Sequence, residues 1–316
     1  MAPGPGSRGN GGWTMSTQTG PVGVIGAGAV GQTVAALLVA GGWCEEVLIA
    51  SGSGRSAAAL VTDLQDMAQI VGSPVRAQTA QPADMRDCAA VVVAPRAKFT
   101  NTATADVRMA GLEANAPLIA ALARSLTGYE GTAVVVTNPV DPLTWLFARA
   151  SGAARVYGVG SATDTARYRL ALAAELAVPV ESVSGHVIGE HGDAAVLCTS
   201  TTRVDGHHVR VPVRAVRAEL GARPRRINAG IGRGRCGPAG AVLHALTHAL
   251  GLKDGPVDLS VDHQGAQLGL PVHFTAGRPA VRLPRLDPAE RRLLAAADHK
   301  IHLACKTISH HLEGAR

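Results

Sequence analysis

Near the start of the chain an apolar strand, a glycine loop and a helix follow one another without a gap, and few folds accommodate that order. Pro21–Ile25 is short and apolar, Gly26-Ala27-Gly28-Ala29-Val30-Gly31 follows at once, and Gln32–Ala40 continues as an apolar helix. In such a unit the first glycine makes the tight turn and the second lets a pyrophosphate touch the backbone. The third lets helix and strand pack closely, with the helix N-terminus facing the phosphates. Gly26, Gly28, Ala29, Val30 and Gly31 are therefore the candidate dinucleotide cradle.

The pattern downstream extends this unit. Val47–Ala50 reads as a second strand and Ala57–Ile70 as a helix, with a third strand at Val75–Thr79. Ala89–Ala94 and Thr132–Thr137 are unbroken apolar runs, as strands buried on both faces of a parallel sheet must be. Between them lies a Thr/Ala/Asn stretch, Pro95–Val107, followed by a helix from Arg108 to about Leu126. A mobile segment after a strand's carboxyl end is where a lid would sit. This alternation predicts an α/β fold with a Rossmann-type doubly wound parallel sheet over residues 21–160.

The second half, residues 161–316, reads as an α+β substrate and catalytic domain. Asp164–Leu176 is a helix, Ser182–Ile188 a strand, and Val196–Val213 antiparallel strands around Asp205-Gly206, while Arg217–Ala229 gives no clear pattern. Ala239–Leu250 is helical, and Val257–Val281 reads as short strands turning at Gly265 and Gly277. Asp287 caps a closing helix that reaches His311, with Pro288 in its first position and Glu290 in its first turn.

Composition narrows the function classes. Aromatic residues are only 3% of the chain, which argues against single-stranded nucleic-acid binding, where bases stack on rings. The net charge of +6 and pI near 9.4 come from dispersed arginines, with groups at Arg214–Arg226 and Arg233–Arg235, and suit anionic small molecules. Five scattered cysteines without a Cys-x-x-Cys point to reduced thiols and a cytoplasmic setting rather than to a disulfide frame or a metal site. No apolar run reaches the ~20 residues of a membrane helix. Met1–Gly20 is rich in Gly, Ser, Thr and Pro, lacks the apolar core of a signal peptide, and reads as a disordered tail with Met15 as a possible start.

Val187-Ile188-Gly189-Glu190-His191-Gly192-Asp193 carries the chemistry-bearing histidine. Histidine exchanges protons near neutral pH, and the flanking glycines allow close approach. Upstream, Asp164 and Arg167 sit three residues apart on a helix, one suited to orient an imidazole and the other to clamp a planar carboxylate. Asn138, pinned by Pro139 at a strand's carboxyl end, is placed to face a ligand.

Four ordered motifs resemble the lactate/malate dehydrogenase family: Gly-Ala-Gly-Ala-Val-Gly at 26–31, Thr-Asn-Pro-Val-Asp at 137–141, Asp-Thr-Ala-Arg-Tyr-Arg at 164–169 and Gly-Glu-His-Gly-Asp at 189–193. Glu190 resembles the lactate branch. The resemblance implies reversible hydride transfer between a nicotinamide cofactor and a 2-oxo acid, in a homodimer or homotetramer. By it His191 is the acid/base, Asp164 its orienting carboxylate, Arg167 the substrate clamp and Arg108 the lid arginine that polarises the carbonyl. Asn115 and Asn138 match polar contacts to cofactor and substrate. A buried Asp–His pair is expected to raise the histidine pKa towards neutrality.

Departures from the family's pattern bear on cofactor and substrate. Where an acid usually holds the ribose 2′-hydroxyl, Ser51-Gly52-Ser53-Gly54-Arg55-Ser56 offers hydroxyls and an arginine, which favours NADP over NAD, with Ser51 and Arg55 as contacts. The family's Ala-Gly after the fourth strand is Ala94-Pro95. The lid is longer, so either Lys98 or Thr102 holds the position that selects lactate or malate. Arg235 could add a second anion contact. Alternatives are the same chemistry on a bulkier or dianionic 2-oxo acid, or a nucleotide-binding protein without turnover.

Overall fold

The computed structural model describes residues 18–313. The tail expected over Met1–Gly20 and the possible start at Met15 lie outside the described residues, except that Thr19 is paired with Cys44 beside the first strand.

The first half alternates β1 (Val22–Ile25), α1 (Ala29–Gly41), β2 (Glu46–Ala50), α2 (Gly54–Val71), β3 (Arg76–Thr79), β4 (Ala90–Val93), α3 (Leu112–Ser125), β5 (Thr132–Val135), α4 (Val140–Ser151) and β6 (Arg155–Gly158). The second half contains α5 (Gly160–Leu176), β7 (Val183–Ser184), β8 (Val187–Gly189), β9 (Ala195–Leu197), β10 (Arg203–Val204), β11 (His207–His208), α6 (Val213–Ile231) and α7 (Cys236–Ala249). It closes with β12 (Gly255–His263), β13 (Ala266–Thr275), β14 (Arg278–Val281), α8 (Pro288–Ile308) and α9 (His310–Glu313).

β3-β2-β1-β4-β5-β6 form a parallel sheet, the α/β arrangement expected, with every residue of β1, β4 and β5 buried. Apolar side chains on both faces meet helices on both sides, which is why these strands read as runs without alternation. The sheet does not stop at β6. It continues through β12, β13, β8 and β9, joined by the single antiparallel pairs Ser260–Gly158 and Gly269–Gly189. One sheet therefore fixes the His191 loop after β8 relative to the glycine loop after β1.

Several elements differ from expectation for physical reasons. Helix α3 begins at Leu112, after a tight turn over Met109–Gly111, so Arg108 lies before the helix rather than in it. α5 starts at Gly160, four residues early, which puts Asp164 in its second turn. The unclear stretch Arg217–Ala229 belongs to α6, which runs through Pro224. A helical proline removes one backbone hydrogen bond and is tolerated when flanking turns hold. Between Val196 and Val213 the antiparallel strands are present as expected but short: β9 pairs with β8, and β10 and β11 form a hairpin around Asp205-Gly206. The closing helix is capped as expected: the Asp287 carboxylate accepts from the Glu290 amide at 2.8 Å, and Glu290 accepts from the Asp287 amide at 3.0 Å.

The five cysteines are unpaired, four of them buried. Burial pushes the thiols of Cys44, Cys88 and Cys305 up to about 12, which makes them inert core residues. Among the described residues no helix is long and apolar enough to cross a membrane.

Candidate active site

A cleft of about 930 Å³ opens at the carboxyl ends of the parallel strands. Its wall comes from the loops after β1 (Gly26, Gly28, Ala29, Val30), β2 (Ser51, Ser53), β4 (Ala94 to Arg108) and β5 (Thr137, Asn138). That is the place where the order of a doubly wound sheet reverses, because β1 stands between β2 and β4.

The cradle is built of backbone. Gly26 has φ +113, and a Cβ there would lie 2.8 Å from the carbonyl carbon of Ala94. A Cβ on Gly31 would lie 1.8 Å from the Gly26 carbonyl oxygen, so strand and helix meet only because that side chain is absent. Gly28, by contrast, faces open space. The first turn of α1 holds no acid and no side-chain cap, leaving its amides free to face the cleft. These features fit a dinucleotide's pyrophosphate. After β2, Ser51 and Ser53 line the same cleft, and α2 also starts without an acid. The Ser51 and Ser56 hydroxyls lie 3.1 Å apart, and Arg55 in α2's first turn is exposed.

Side chains build the second part. The Nδ1–H of a neutral His191 donates to Asp164 Oδ2 at 2.5 Å, which leaves Nε2 as a proton acceptor. Arg167, one helical turn beyond Asp164, stands 3.9 Å from its other oxygen. The His191 ring packs on Gly160, where a Cβ would lie 2.3 Å from Cγ. Arg108 joins the two parts. It lines the cleft, and its charge acts on Asp164, His191 and Arg167.

Electrostatics correct one expectation. Asp164 was expected to lift the histidine pKa towards neutrality. Burial instead holds His191 below the ordinary imidazole range, with Asp164 opposing and Arg108 and Arg167 adding to the depression. Removing an imidazolium from water outweighs one carboxylate when two guanidiniums stand nearby. Asp164 itself lies below the usual carboxylate range; burial pushes it up, but His191 and the two arginines outweigh that.

The remaining sequence candidates divide. Lys98 lines the cleft, whereas Thr102, the other reading of that lid position, is an exposed residue outside its wall. Asn138 lines the cleft, but Asn115 is buried beside it and bridges two loops, accepting from the Ala97 amide at 2.8 Å and donating to the Asn138 carbonyl at 2.9 Å. Arg235 is not in the wall; it donates to the Ile231 carbonyl at 3.2 Å, and the arginine of that turn lining the cleft is Arg233, between Gly232 and Gly234.

Sequence reasoning missed Asp141. Fully buried, it accepts the His191 backbone N–H at 2.7 Å and has the buried Ser260 hydroxyl beside it. Burial pushes its carboxyl up to about 7. Its place in the Thr-Asn-Pro-Val-Asp motif was a signal, but nothing local says that it reaches a residue 50 positions away.

Comparison with known proteins bears on the family and the fold. Residues 21–158 match the family model of the lactate/malate dehydrogenase NAD-binding domain. An L-lactate dehydrogenase from Treponema denticola is 34% identical over 194 residues, 59% of each chain. One from Chloroherpeton thalassium is 34% identical over 189 residues, 58% of this chain and 61% of that one. The chain thus spans about three-fifths of the length of the curated relatives it matches. The solved minor L-lactate dehydrogenase of Enterococcus mundtii superposes with a TM-score of 0.82 at 22% identity, covering 92% of this chain and 98% of that one. Cryptosporidium parvum malate dehydrogenase gives 0.81 at 20%, covering 92% and 99%. At these identities the structural likeness shows the fold alone.

Proposed function

Because residues 21–158 match the NAD-binding domain of the lactate/malate dehydrogenase family, we propose that the chain is an NAD(P)-dependent 2-hydroxy acid dehydrogenase of the L-lactate/malate type. The observation that carries the proposal is the contact of His191 and Arg167 with one carboxylate, Asp164, beside a cleft floored by the glycine loop.

In this reading the glycine loop and the α1 N-terminus hold the cofactor's pyrophosphate. The bound nicotinamide supplies the hydride chemistry. Arg167 anchors the substrate carboxylate with its planar fork. His191 Nε2 takes the hydroxyl proton during oxidation and returns it during reduction, while Asp164 fixes the ring and steadies its cation. Arg108 faces the oxygen on which negative charge grows, the kind of contact worth roughly 100- to 1000-fold in turnover. Asn138 supplies a further polar contact at the cleft wall.

We further propose NADPH as the preferred cofactor. Ser51, Ser53 and Arg55 stand where an acid would reject a 2′-phosphate, and the α2 N-terminus adds amides without an acid in its first turn. A second substrate reading, a dianionic or bulkier 2-oxo acid, is favoured by the cationic wall of Arg96, Lys98 and Arg233. The same proposal has the chain working in the cytoplasm as a homodimer or homotetramer, which sedimentation would check.

The test is a panel of pyruvate, oxaloacetate and larger 2-oxo acids run with NADH and with NADPH. Reduction of at least one is expected. Pyruvate ahead by orders of magnitude removes the second reading, and tighter binding of NADH removes the cofactor preference. Cofactor binding with no turnover of any acid contradicts the assignment.

A further inference from the structure

Outside the groups already described, a cluster of charges lies where the lid's carboxyl end meets the His191 loop, and Lys300 is at its centre. Lys300 projects from α8, far along the chain from both. Its Nζ is 2.8 Å from Asp106 Oδ2 in the lid, and 2.7 and 2.8 Å from the two oxygens of Glu190. Asp106 donates its backbone N–H to Asp193 Oδ2 at 2.8 Å, so the lid is tied to the residues on both sides of His191.

Each partner is shaped for this contact. Glu190 is only 3% exposed, and its carboxylate also accepts the Ala194 amide at 2.8 Å. It can fold back this way because Gly192 has no side chain: a Cβ there would lie 2.5 Å from Glu190 Oε1. A buried carboxylate needs a cation, and Lys300 supplies it. Asp106 sits at φ +48, a conformation unusual outside glycine, and its carbonyl accepts the Met109 amide at 2.9 Å. The turn so fixed contains Arg108.

We infer that Lys300 is a positioning residue, the latch that fastens the lid's carboxyl end to the His191 loop and so sets Arg108 over the imidazole. The inference rests on the dehydrogenase reading for its kinetic consequence but not for its structural one. A guanidinium displaced by an ångström loses much of its hold on the reacting oxygen, and a lid freed at one end opens more often.

The test uses Lys300→Met, Asp106→Asn and the double variant in the full chain. The substrate-free proteins are digested briefly with trypsin, and cleavage after Arg96 and Lys98, both exposed in the lid, is followed by mass. Each single variant is expected to be cut roughly tenfold faster, to lose roughly tenfold in kcat with a raised KM for the 2-oxo acid, and to bind reduced cofactor as the parent does. The double variant is expected to be no worse than either single one, and Lys300→Arg to recover most of the loss. Cleavage and kcat within about twofold of the parent, additive losses, or weakened cofactor binding would overturn the latch. Asp106→Asn lies on a partly exposed loop, so it decides the matter even where Lys300→Met fails to fold. Because cleavage is read without substrate, an inactive parent chain would overturn the function while leaving the latch to be judged by protease alone.

Discussion

On the proposed reading, the cradle at the head of α1 and the cluster around His191 solve the same problem, holding an anion, with different materials. The cradle is backbone: three glycines, free amides and a helix end, all within six consecutive residues. The cluster is side chains, brought by β8, α4, α5, α8 and the lid from positions up to 194 residues apart, counting from Asp106 to Lys300. A backbone site is robust to its neighbours but intolerant of any added atom. A side-chain site tolerates added atoms in places yet depends on every partner's charge. The predicted effects below separate the two.

After His191 itself, the largest effect is expected at Arg167. Arg167→Lys keeps the charge but loses the planar fork, and should cut kcat/KM for 2-oxo acids by roughly a thousandfold with cofactor binding unchanged. A loss of cofactor binding instead would merge the two regions. Next comes Gly31→Ala. A methyl 1.8 Å from the Gly26 carbonyl must part strand from helix, destabilising the fold by roughly 1–3 kcal/mol and weakening cofactor binding before it touches the chemistry. Thermal unfolding and cofactor titration check it; an unaltered melting point would show that the close packing there is dispensable.

The pH profile is sharper still. Since His191 is held below its ordinary range, the neutral imidazole needed for 2-hydroxy acid oxidation persists below about pH 6.5. Oxidation should fall only as pH drops through that lowered value. Arg108→Gln removes a repelling charge, so the fall should move to higher pH; Asp164→Asn removes the supporting carboxylate, so it should move lower. A shift in the opposite direction for either variant would reverse the electrostatic account.

The smallest effect belongs to Asp141. Its folded carboxyl is raised to about 7 from an ordinary 3.8, so its contribution to stability is present below the lower value and lost as pH rises through the higher. Asp141→Asn keeps the acceptor for the His191 amide and removes the buried charge. It should raise the melting temperature at pH 8 by a few degrees relative to the parent, with little change at pH 4. Calorimetry at the two values measures this.

The same contrast explains what could be read from the sequence. The cradle was legible because its atoms are neighbours in the chain. So were the buried β1, β4 and β5, whose apolar runs carry their burial on their face, and the Asp287–Glu290 cap. The motif pieces His191, Asp164 and Arg167 were legible one by one, though not their distances. Asp141 and Lys300 were not, because each acts on a segment the chain reaches only after folding. The direction of the His191 shift was misjudged because burial belongs to the assembled site. Arg235 was chosen over Arg233 because only the turn between α6 and α7 decides which of two nearby arginines faces the cleft. Pro224 and a run of arginines hid α6, whose one buried residue is Val216, with Leu220 partly buried against the same core.

The most direct test of the account is His191→Gln, compared with the parent for both reduced-cofactor binding and single-turnover reduction of the best 2-oxo acid. The account predicts binding within about twofold and a reduction rate lower by at least about a thousandfold, the contribution expected of a buried acid/base. An undiminished rate with binding intact would contradict it.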